Sequence, residues 1–315
     1  MNIKDYVRVG HRLLNLIFWM ILGYLAGDAG AGFFYVGFLI FIFAFTLLNG
    51  GLKETMAKMT ATRVEKGFYI EAGIVFRTGL LWAIISGGLV STLFIFFGRN
   101  IMNMLYGYTL PYSLLGLFGL YYILLSINSC LMGYYQGIGY SGFCIIGEIL
   151  ESLVLIGLSP IIVSRMYAYG TKVAALLKEP LYANLNGAIG GIITQCIGII
   201  LSSIVVIAGL VLIHQNNREN YDVGGLKTRE AFVKNYIRVN NGVLEDRIVP
   251  LIMLLAMAIL FIKEGATLAV DAKELFTGIG VFAGKYLVVM LVPLVYFIEY
   301  VERERRRIRS DHSKE

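Results

Sequence analysis

Two glutamates stand inside a stretch that is otherwise apolar, between positions 143 and 160. Glu148 and Glu151 lie three residues apart, so on a helix they share one face. A carboxylate at the centre of a bilayer costs roughly 2.5–3.5 kcal/mol on insertion scales, and such groups therefore face a bundle interior or a wet cavity. Paired carboxylates at that depth could bind a charged head group or a coupling cation. This face is the strongest candidate for a functional site.

Further charged and polar side chains fall inside apolar stretches or at their edges. They are Arg77, Asn128, Gln195, Arg247 and Lys285. Three interpretations stay open. Glu151 and Lys285 could form a structural ion pair that locks helices together, or the set could line a polar cavity. Arg77, near the inner end of its stretch, could instead extend its side chain to the membrane interface.

The sequence holds no constellation that is typical of an enzyme. The run Gly137-Ile-Gly-Tyr-Ser-Gly142 matches the glycine pattern of dinucleotide sites, but an apolar span replaces the strand that such a site needs. No nucleophile stands near a paired base. The cysteines lie inside predicted spans without metal-ligand spacing; they are Cys130, Cys144 and Cys196. We therefore expect no catalysis, no metal and no cofactor.

The elements that carry these residues are apolar stretches of about 20 residues, enough to cross the hydrocarbon core. Only 15% of the 315 residues are charged, whereas soluble proteins carry about 25%. Each stretch should be helical, because lipid offers backbone polar groups no partner. We predict an all-α polytopic membrane helical bundle of about eight transmembrane helices. Their bounds are 11–27, 31–50, 71–97, 112–133, 141–163, 183–213, 244–262 and 274–300.

The distribution of lysine and arginine predicts the orientation of the chain. With the N-terminus inside, inner segments hold eighteen of the 27 basic residues, outer loops hold six, and spans or their edges hold three. The positive-inside rule then places both termini in the cytoplasm. The net charge of +6 follows this pattern, so it does not indicate nucleic acid as a partner.

The longest polar break in the chain runs from His214 to Gly242 and predicts a joint between two bundles. We expect a six-helix lobe over 1–213 and a cytoplasmic linker over 214–243. The start of a second lobe would supply two helices over 244–300, and a basic cytoplasmic tail would follow over 301–315. Membrane lipids are the expected surroundings, and the tail could contact anionic lipids.

Three segments resemble motifs of a known family. The family's first outer turn is similar to Gly27-Asp-Ala-Gly-Ala-Gly-Phe-Phe-Tyr-Val-Gly. The family motif G-I-P-x-A-I-S-K is similar to Asn49-Gly-Gly-Leu-Lys-Glu-Thr-Met-Ala-Lys-Met. The family motif R-G-Y-F-Q-G is similar to Met132-Gly-Tyr-Tyr-Gln-Gly. When the alignment is continued from the third segment without a gap, the first Gln of the family pattern S-Q-x-x-E-Q aligns with Glu148 and its Glu aligns with Glu151. The chain thereby resembles polysaccharide exporters and lipid-linked sugar flippases of the multidrug/oligosaccharidyl-lipid/polysaccharide superfamily, in particular the stage V sporulation protein B branch. It departs from the branch at Trp19, where an arginine is common, and at Lys53, where the motif has proline.

The resemblance implies a transporter of the bacterial cytoplasmic membrane that flips or exports lipid-linked oligosaccharide or polysaccharide precursors by alternating access. It implies one six-helix MATE-like lobe, a cavity carboxylate at Glu151, a turn contact at Gln136, and anion contacts at Lys285 and Arg77. Two alternatives stay open: a cation-coupled multidrug exporter, and a non-transporting scaffold for cell-envelope assembly. Because the family has two six-helix bundles, we expect a truncated product, a half that pairs with a second chain or another copy, or a degenerate paralogue.

Overall fold

A computed structural model gives the fold and describes residues 3–106, 111–214, 228–242 and 272–281. Within these ranges every element is an α-helix. In chain order the helices are α1 (Ile3–Asn49), α2 (Leu52–Val64), α3 (Tyr69–Tyr106), α4 (Tyr112–Gly137), α5 (Ser141–Leu177), α6 (Leu181–His214), α7 (228–242) and α8 (Ala272–Val281). Five helical stretches of the described chain are long and apolar enough to cross a membrane. The prediction of an all-α polytopic membrane bundle is confirmed.

Helix α1 consists of two helical arms that meet at Gly27, where the backbone adopts φ 74° and ψ 164°. A positive φ favours glycine, which has no Cβ to clash with the backbone. At this break the side-chain amide of Asn184 on α6 donates a hydrogen bond to the Ala26 carbonyl at 2.8 Å. That bond satisfies a backbone group for which lipid has no donor. The two arms correspond to the predicted spans 11–27 and 31–50.

The six spans predicted within 1–213 all coincide with helices. Helix α5 continues past its predicted end at 163 as far as Leu177, and it stops where Lys178 takes a left-handed φ of 56° just before Pro180. The segment 214–243, predicted as a linker, contains helix α7. The predicted span 244–262 and the part of 274–300 beyond Val281 lie outside the described residues.

Close packing between helices supplies the cohesion of this bundle, because lipid tails remove the usual advantage of burying apolar surface. Helices α5 and α6 form an antiparallel hairpin whose backbones approach at glycines. A Cβ added to Gly190 would lie 3.0 Å from the Val163 Cα atom, and one added to Gly170 would lie 2.8 Å from the Tyr182 carbonyl oxygen. Helix α1 packs against this hairpin and α4 through buried aromatic rings, among them Phe18, Phe34, Phe41, Phe118 and Tyr122.

The two ends of the bundle carry different helices. We call the end that carries α2, the last turn of α4 and α7 the near end. The far end carries the break at Gly27, the start of α6 and α8. There α8 lies against α1, with the rings of Phe33 and Phe276 stacked at a centroid separation of 4.0 Å. A Cβ at Gly32 would collide with the Phe276 backbone, so glycine is required for this approach.

Helix α7 closes the joint between α1 and α2 at the near end. The Asn240 side chain accepts a hydrogen bond from the Gly51 N–H at 3.0 Å and donates one to the Leu47 carbonyl at 3.0 Å. The Tyr236 hydroxyl donates to the Leu48 carbonyl. These bonds satisfy backbone groups that the end of one helix and the start of the next leave open.

Candidate functional site

An ion pair between α2 and α5 forms the centre of the candidate site. The Lys53 Nζ atom lies 3.0 Å from Oε1 of Glu148, and Nζ also donates to the Met132 sulfur at 3.8 Å. The Lys53 side chain is 34% exposed and that of Glu148 is 17% exposed. The pair is therefore partly desolvated while still reaching the surface of the fold.

The position of Lys53 follows from how α2 packs against α4. A Cβ at Gly133 would lie 2.5 Å from the Lys53 carbonyl oxygen, and one at Gly137 would lie 2.5 Å from Cβ of Thr60. The two glycines are four residues apart on one face of α4, so they form a groove in which α2 can lie. Any larger side chain at either position would push α2, and with it the Lys53 ammonium, away from Glu148.

A histidine on α1 joins this pair through a serine on α5. The Ser152 hydroxyl donates to the Glu148 backbone carbonyl at 3.0 Å and lies 2.7 Å from Nδ1 of His11. The other ring nitrogen, Nε2, lies 3.2 Å from the side-chain amide of Asn15. We refer to His11, Lys53, Glu148, Glu151 and Ser152 together as the polar cluster.

Glu151 lies one helical turn beyond Glu148, where α5 approaches α6. A Cβ at Gly198 would be 3.4 Å from Cγ of Glu151, so the small residue leaves room for the carboxylate. Tyr121 of α4 is close enough to interact with it electrostatically. Among the described residues no hydrogen bond or ion pair engages the Glu151 carboxylate, in contrast to that of Glu148.

The remaining predicted site residues fall in different places. Asn128 is buried and accepts a hydrogen bond from the Ser203 hydroxyl at 3.2 Å. Gln195 is also buried, and its Oε1 atom has no partner within the described part of the chain. Gln136 is half-buried in the last turn of α4, and Arg77 is exposed on α3, outside the polar cluster.

The predicted residues Arg247 and Lys285 lie outside the described residues, and so does the predicted ion pair between Glu151 and Lys285. The structure places two residues in the polar cluster that the sequence did not lead us to select, Lys53 and His11. The signal for Lys53 was present, because it replaces a family proline just after Gly50 and Gly51. Its pairing with Glu148 could not be read from the sequence.

The chemistry of the polar cluster suits recognition of charge. It offers one ammonium, two carboxylates, a serine hydroxyl and an imidazole. In the ranges that the structure describes, no group of three or more His, Cys, Asp or Glu residues could hold a metal ion. The arrangement can bind a charged group by ion pairing and direct hydrogen bonds.

Comparison with solved structures identifies a similar fold. The chain resembles a structure described as the inward-facing conformation of a multidrug resistance MATE family transporter of the MOP superfamily, with a TM-score of 0.62 and 17% sequence identity. The match covers 91% of this chain and 61% of that transporter, so the chain spans about three-fifths of its length. No protein-family model matches the sequence, and no curated protein matches it either. The fold of the chain thus resembles that of part of a MATE family transporter.

Proposed function

We propose that the chain is a membrane transporter that works by alternating access, and that the polar cluster lies in the wall of its transport path. The cluster itself is the main support. It joins α1, α2 and α5 by charged and polar contacts inside a bundle whose core is mainly apolar. The likeness in fold to a transporter supports the same conclusion.

The exposure of the ion pair favours a transport role over a purely structural one. A pair buried completely inside the bundle would be inaccessible to a ligand. Here about a third of the Lys53 side chain is exposed. Glu151, one turn away, has no ion pair among the described residues, although an unpaired carboxylate in a span is costly. A site that binds and releases a charged ligand requires such incompletely paired groups.

For the substrate we propose a lipid-linked oligosaccharide or polysaccharide precursor. The Lys53 ammonium would contact the phosphate that links sugar to lipid, as lysine commonly does in phosphate sites. His11 contacts Ser152, one helical turn after Glu148, and Asn15 contacts His11; their polar groups suit the hydroxyls of a sugar. The lipid tail would remain in the bilayer beside the apolar helices. The motifs around Lys53, Gly133 and Glu151 that resemble those of lipid-linked sugar flippases support this assignment.

A second candidate is the export of cationic drugs coupled to a cation. Two observations favour it: the polar cluster holds two carboxylates and one ammonium, and the protein of similar fold is described as a multidrug resistance transporter. In that case Glu151 and Glu148 would be the direct ligands of the drug or of the coupling cation. Lys53 would then orient Glu148 rather than touch the substrate.

Equilibrium binding to the purified chain separates the two candidates. One probe is a short-chain polyprenyl diphosphate that carries a sugar, and the other is a cationic dye such as ethidium. The variants are Lys53→Met and Glu151→Gln. Lys58→Met is the matched control, because Lys58 is on the same helix with a side chain 66% exposed. A hydrogen bond to a charged group contributes about 1.5–3 kcal/mol, so loss of a direct ligand should weaken binding about tenfold or more.

If the substrate is a lipid-linked sugar, Lys53→Met weakens binding of the diphosphate probe, and Glu151→Gln does not change the affinity for the dye. If the substrate is a cationic drug, Glu151→Gln weakens binding of the dye, and Lys53→Met does not change the affinity for the diphosphate probe. Flipping of the fluorescent sugar probe in reconstituted vesicles then tests transport itself. Binding of neither probe, with the chain folded, would contradict the transporter proposal and leave the scaffold alternative.

A further inference from the structure

Helix α7 presents two faces of different composition. Phe232, Tyr236 and Asn240 are spaced four residues apart, and all three are buried against the near end of the bundle. The Tyr236 ring lies 5.0 Å from that of Trp82 on α3, measured between centroids. This face fixes the orientation of the helix on the bundle, so the direction of its other face is determined.

The opposite face combines exposed apolar and basic side chains. Val233 is 41% exposed and Ile237 is 52% exposed, and they lie one turn apart. The next positions along the chain, Lys234 and Arg238, are exposed as well. An apolar pair beside a basic pair is the pattern of a helix that lies in a membrane interface, with its apolar side chains directed to the acyl region and its cations at the head groups.

We propose that α7 is a membrane-surface helix that binds anionic phospholipid head groups through Lys234 and Arg238, while Val233 and Ile237 enter the acyl boundary. This proposal needs only that the bundle spans a membrane, so it stands independently of transport. It assigns a lipid-binding surface to a segment for which the sequence predicted only a linker.

The position of α7 and its charge identify the occupant. The helix contacts the last residues of α1 and the first residues of α2, which places it where a membrane-spanning arm ends. Head groups lie at that level. The exposed charged residues of α7 are three cations, Arg229, Lys234 and Arg238, and one anion, Glu230. An anionic head group complements this charge, whereas water alone would leave Val233 and Ile237 without apolar contacts.

A fluorophore at position 237 can test the proposal in the full-length chain. The three cysteines, which are buried, are first replaced by alanine, and Ile237→Cys is then labelled. The protein is reconstituted in phosphatidylcholine vesicles that contain a small share of quencher-bearing lipid, either phosphatidylglycerol or phosphatidylcholine. A second labelled variant, Ile204→Cys on α6, reports a lipid-facing position in a span, because Ile204 is 53% exposed.

We expect both quenchers to reach the label at 237, with phosphatidylglycerol quenching at a lower mole fraction. Each basic residue near an anionic surface contributes roughly a fivefold preference. Lys234→Gln with Arg238→Gln should therefore remove a preference of at least about fivefold, and salt near 1 M should do the same. The label at 204 should show no preference between the two lipids.

The matched control is Lys58→Gln with Lys66→Gln, which removes two exposed cations of the near end that are not on α7. It should leave the preference at 237 unchanged. The proposal is overturned if neither quencher reaches position 237, or if both lipids quench equally in the unmodified helix. It is also overturned if the control variant abolishes the preference as fully as the α7 variant does. Thermal unfolding in detergent confirms that each variant is folded.

Discussion

Lys53 and Glu148 depend on each other because each stands in surroundings that solvate charge poorly. Their side chains are 34% and 17% exposed, so water screens the pair only in part. Removal of one partner leaves the other charge partly desolvated and unpaired, which costs more than removal of both. This asymmetry distinguishes a real pair from two charges that merely lie close together.

Glu148→Gln should lower the free energy of unfolding by about 1–3 kcal/mol, because the Lys53 ammonium loses its carboxylate. Glu148→Leu combined with Lys53→Met should recover most of that loss. Chemical unfolding in detergent measures both. The control is Glu54→Gln, which removes the partner of an exposed pair with Lys58 on α2 and should change stability by less than about 1 kcal/mol. A double variant as unstable as the single one would contradict the pairing.

Glu151→Gln should leave stability nearly unchanged and impair transport. An amide keeps the shape of the carboxylate and most of its hydrogen-bonding capacity but removes the charge. Membrane yield, unfolding and flipping in vesicles are measured on the same preparations. If Glu151→Gln lowers both stability and activity, and the added change Lys285→Met restores the stability, Glu151 instead belongs to a structural pair with Lys285. Normal stability with full transport would exclude Glu151 from both roles.

At the scale of single residues, the sequence predicts that Glu148 and Glu151 share a face, but not which cation pairs with Glu148. The spacing of Glu148 and Glu151 already places them on one face of a helix, since that depends only on helical geometry. The partner of Glu148 depends on where α2 lies against α4, a contact between residues 95 positions apart. Local patterns carry no information about such a contact. For the same reason His11, which reaches the cluster through Ser152, was not selected.

Helix α2 is held by a groove, and the groove consists of Gly133 and Gly137. Gly133→Ala and Gly137→Ala should each lower the free energy of unfolding by about 1–3 kcal/mol, because the new methyl group collides with the α2 backbone or Thr60. Gly157→Ala on α5 is the control, since an added Cβ there meets no described atom within 4 Å. Thermal unfolding in detergent provides the comparison. Equal losses of stability at all three positions would contradict the role of the groove, because helix propensity alone favours Ala over Gly.

Helix α7 also carries a titratable group whose state depends on docking. Burial raises the pKa of Tyr236 from 10.0 to about 12, an effect that its contact with Trp82 opposes. A pKa raised in the folded state stabilises the fold fully below pH 10, and this contribution is lost as the pH rises through about 12. The stability difference between wild type and Tyr236→Phe should therefore shrink between about pH 9.5 and 12. Effects of the other tyrosines cancel in that difference, so a constant difference would contradict docking of α7.

At the scale of elements, the apolar stretches predicted helices within 1–213 well, because length and composition alone decide whether a segment can cross lipid. The predictions were weakest at the ends. Helix α5 exceeds its predicted span by fourteen residues, since its polar continuation pairs with α6 outside the apolar window. Helix α7 was expected to be a linker, because its apolar residues are few and serve a contact with α1–α3 that periodicity cannot identify.

In the described part of the molecule, α8 packs against α1 at the far end, and α2 with Lys53 lies at the near end. Contacts of α8 with α1 join a helix of the N-terminal lobe to the start of the predicted eighth span. For the alternating access proposed above, we predict that this contact opens during the transport cycle. Phe33→Cys with Phe276→Cys should react with a short bifunctional thiol reagent and arrest transport. The pair Phe33→Cys with Tyr236→Cys, at opposite ends, should not cross-link. Unchanged transport by the cross-linked protein would contradict opening of this contact during the transport cycle.

The hydrogen bond from Asn184 to the Ala26 carbonyl has a consequence for how the protein is made. The two residues are 158 positions apart. At about 5–20 residues per second, a ribosome needs roughly 8 to 30 seconds to reach Asn184 after it has added Ala26. Throughout that interval the break in α1 is without its side-chain donor, so the insertion machinery or water must accommodate it. We therefore expect chains that end before α6 to be recognised by membrane quality-control proteases more readily than chains that include the whole of α6, Leu181–His214.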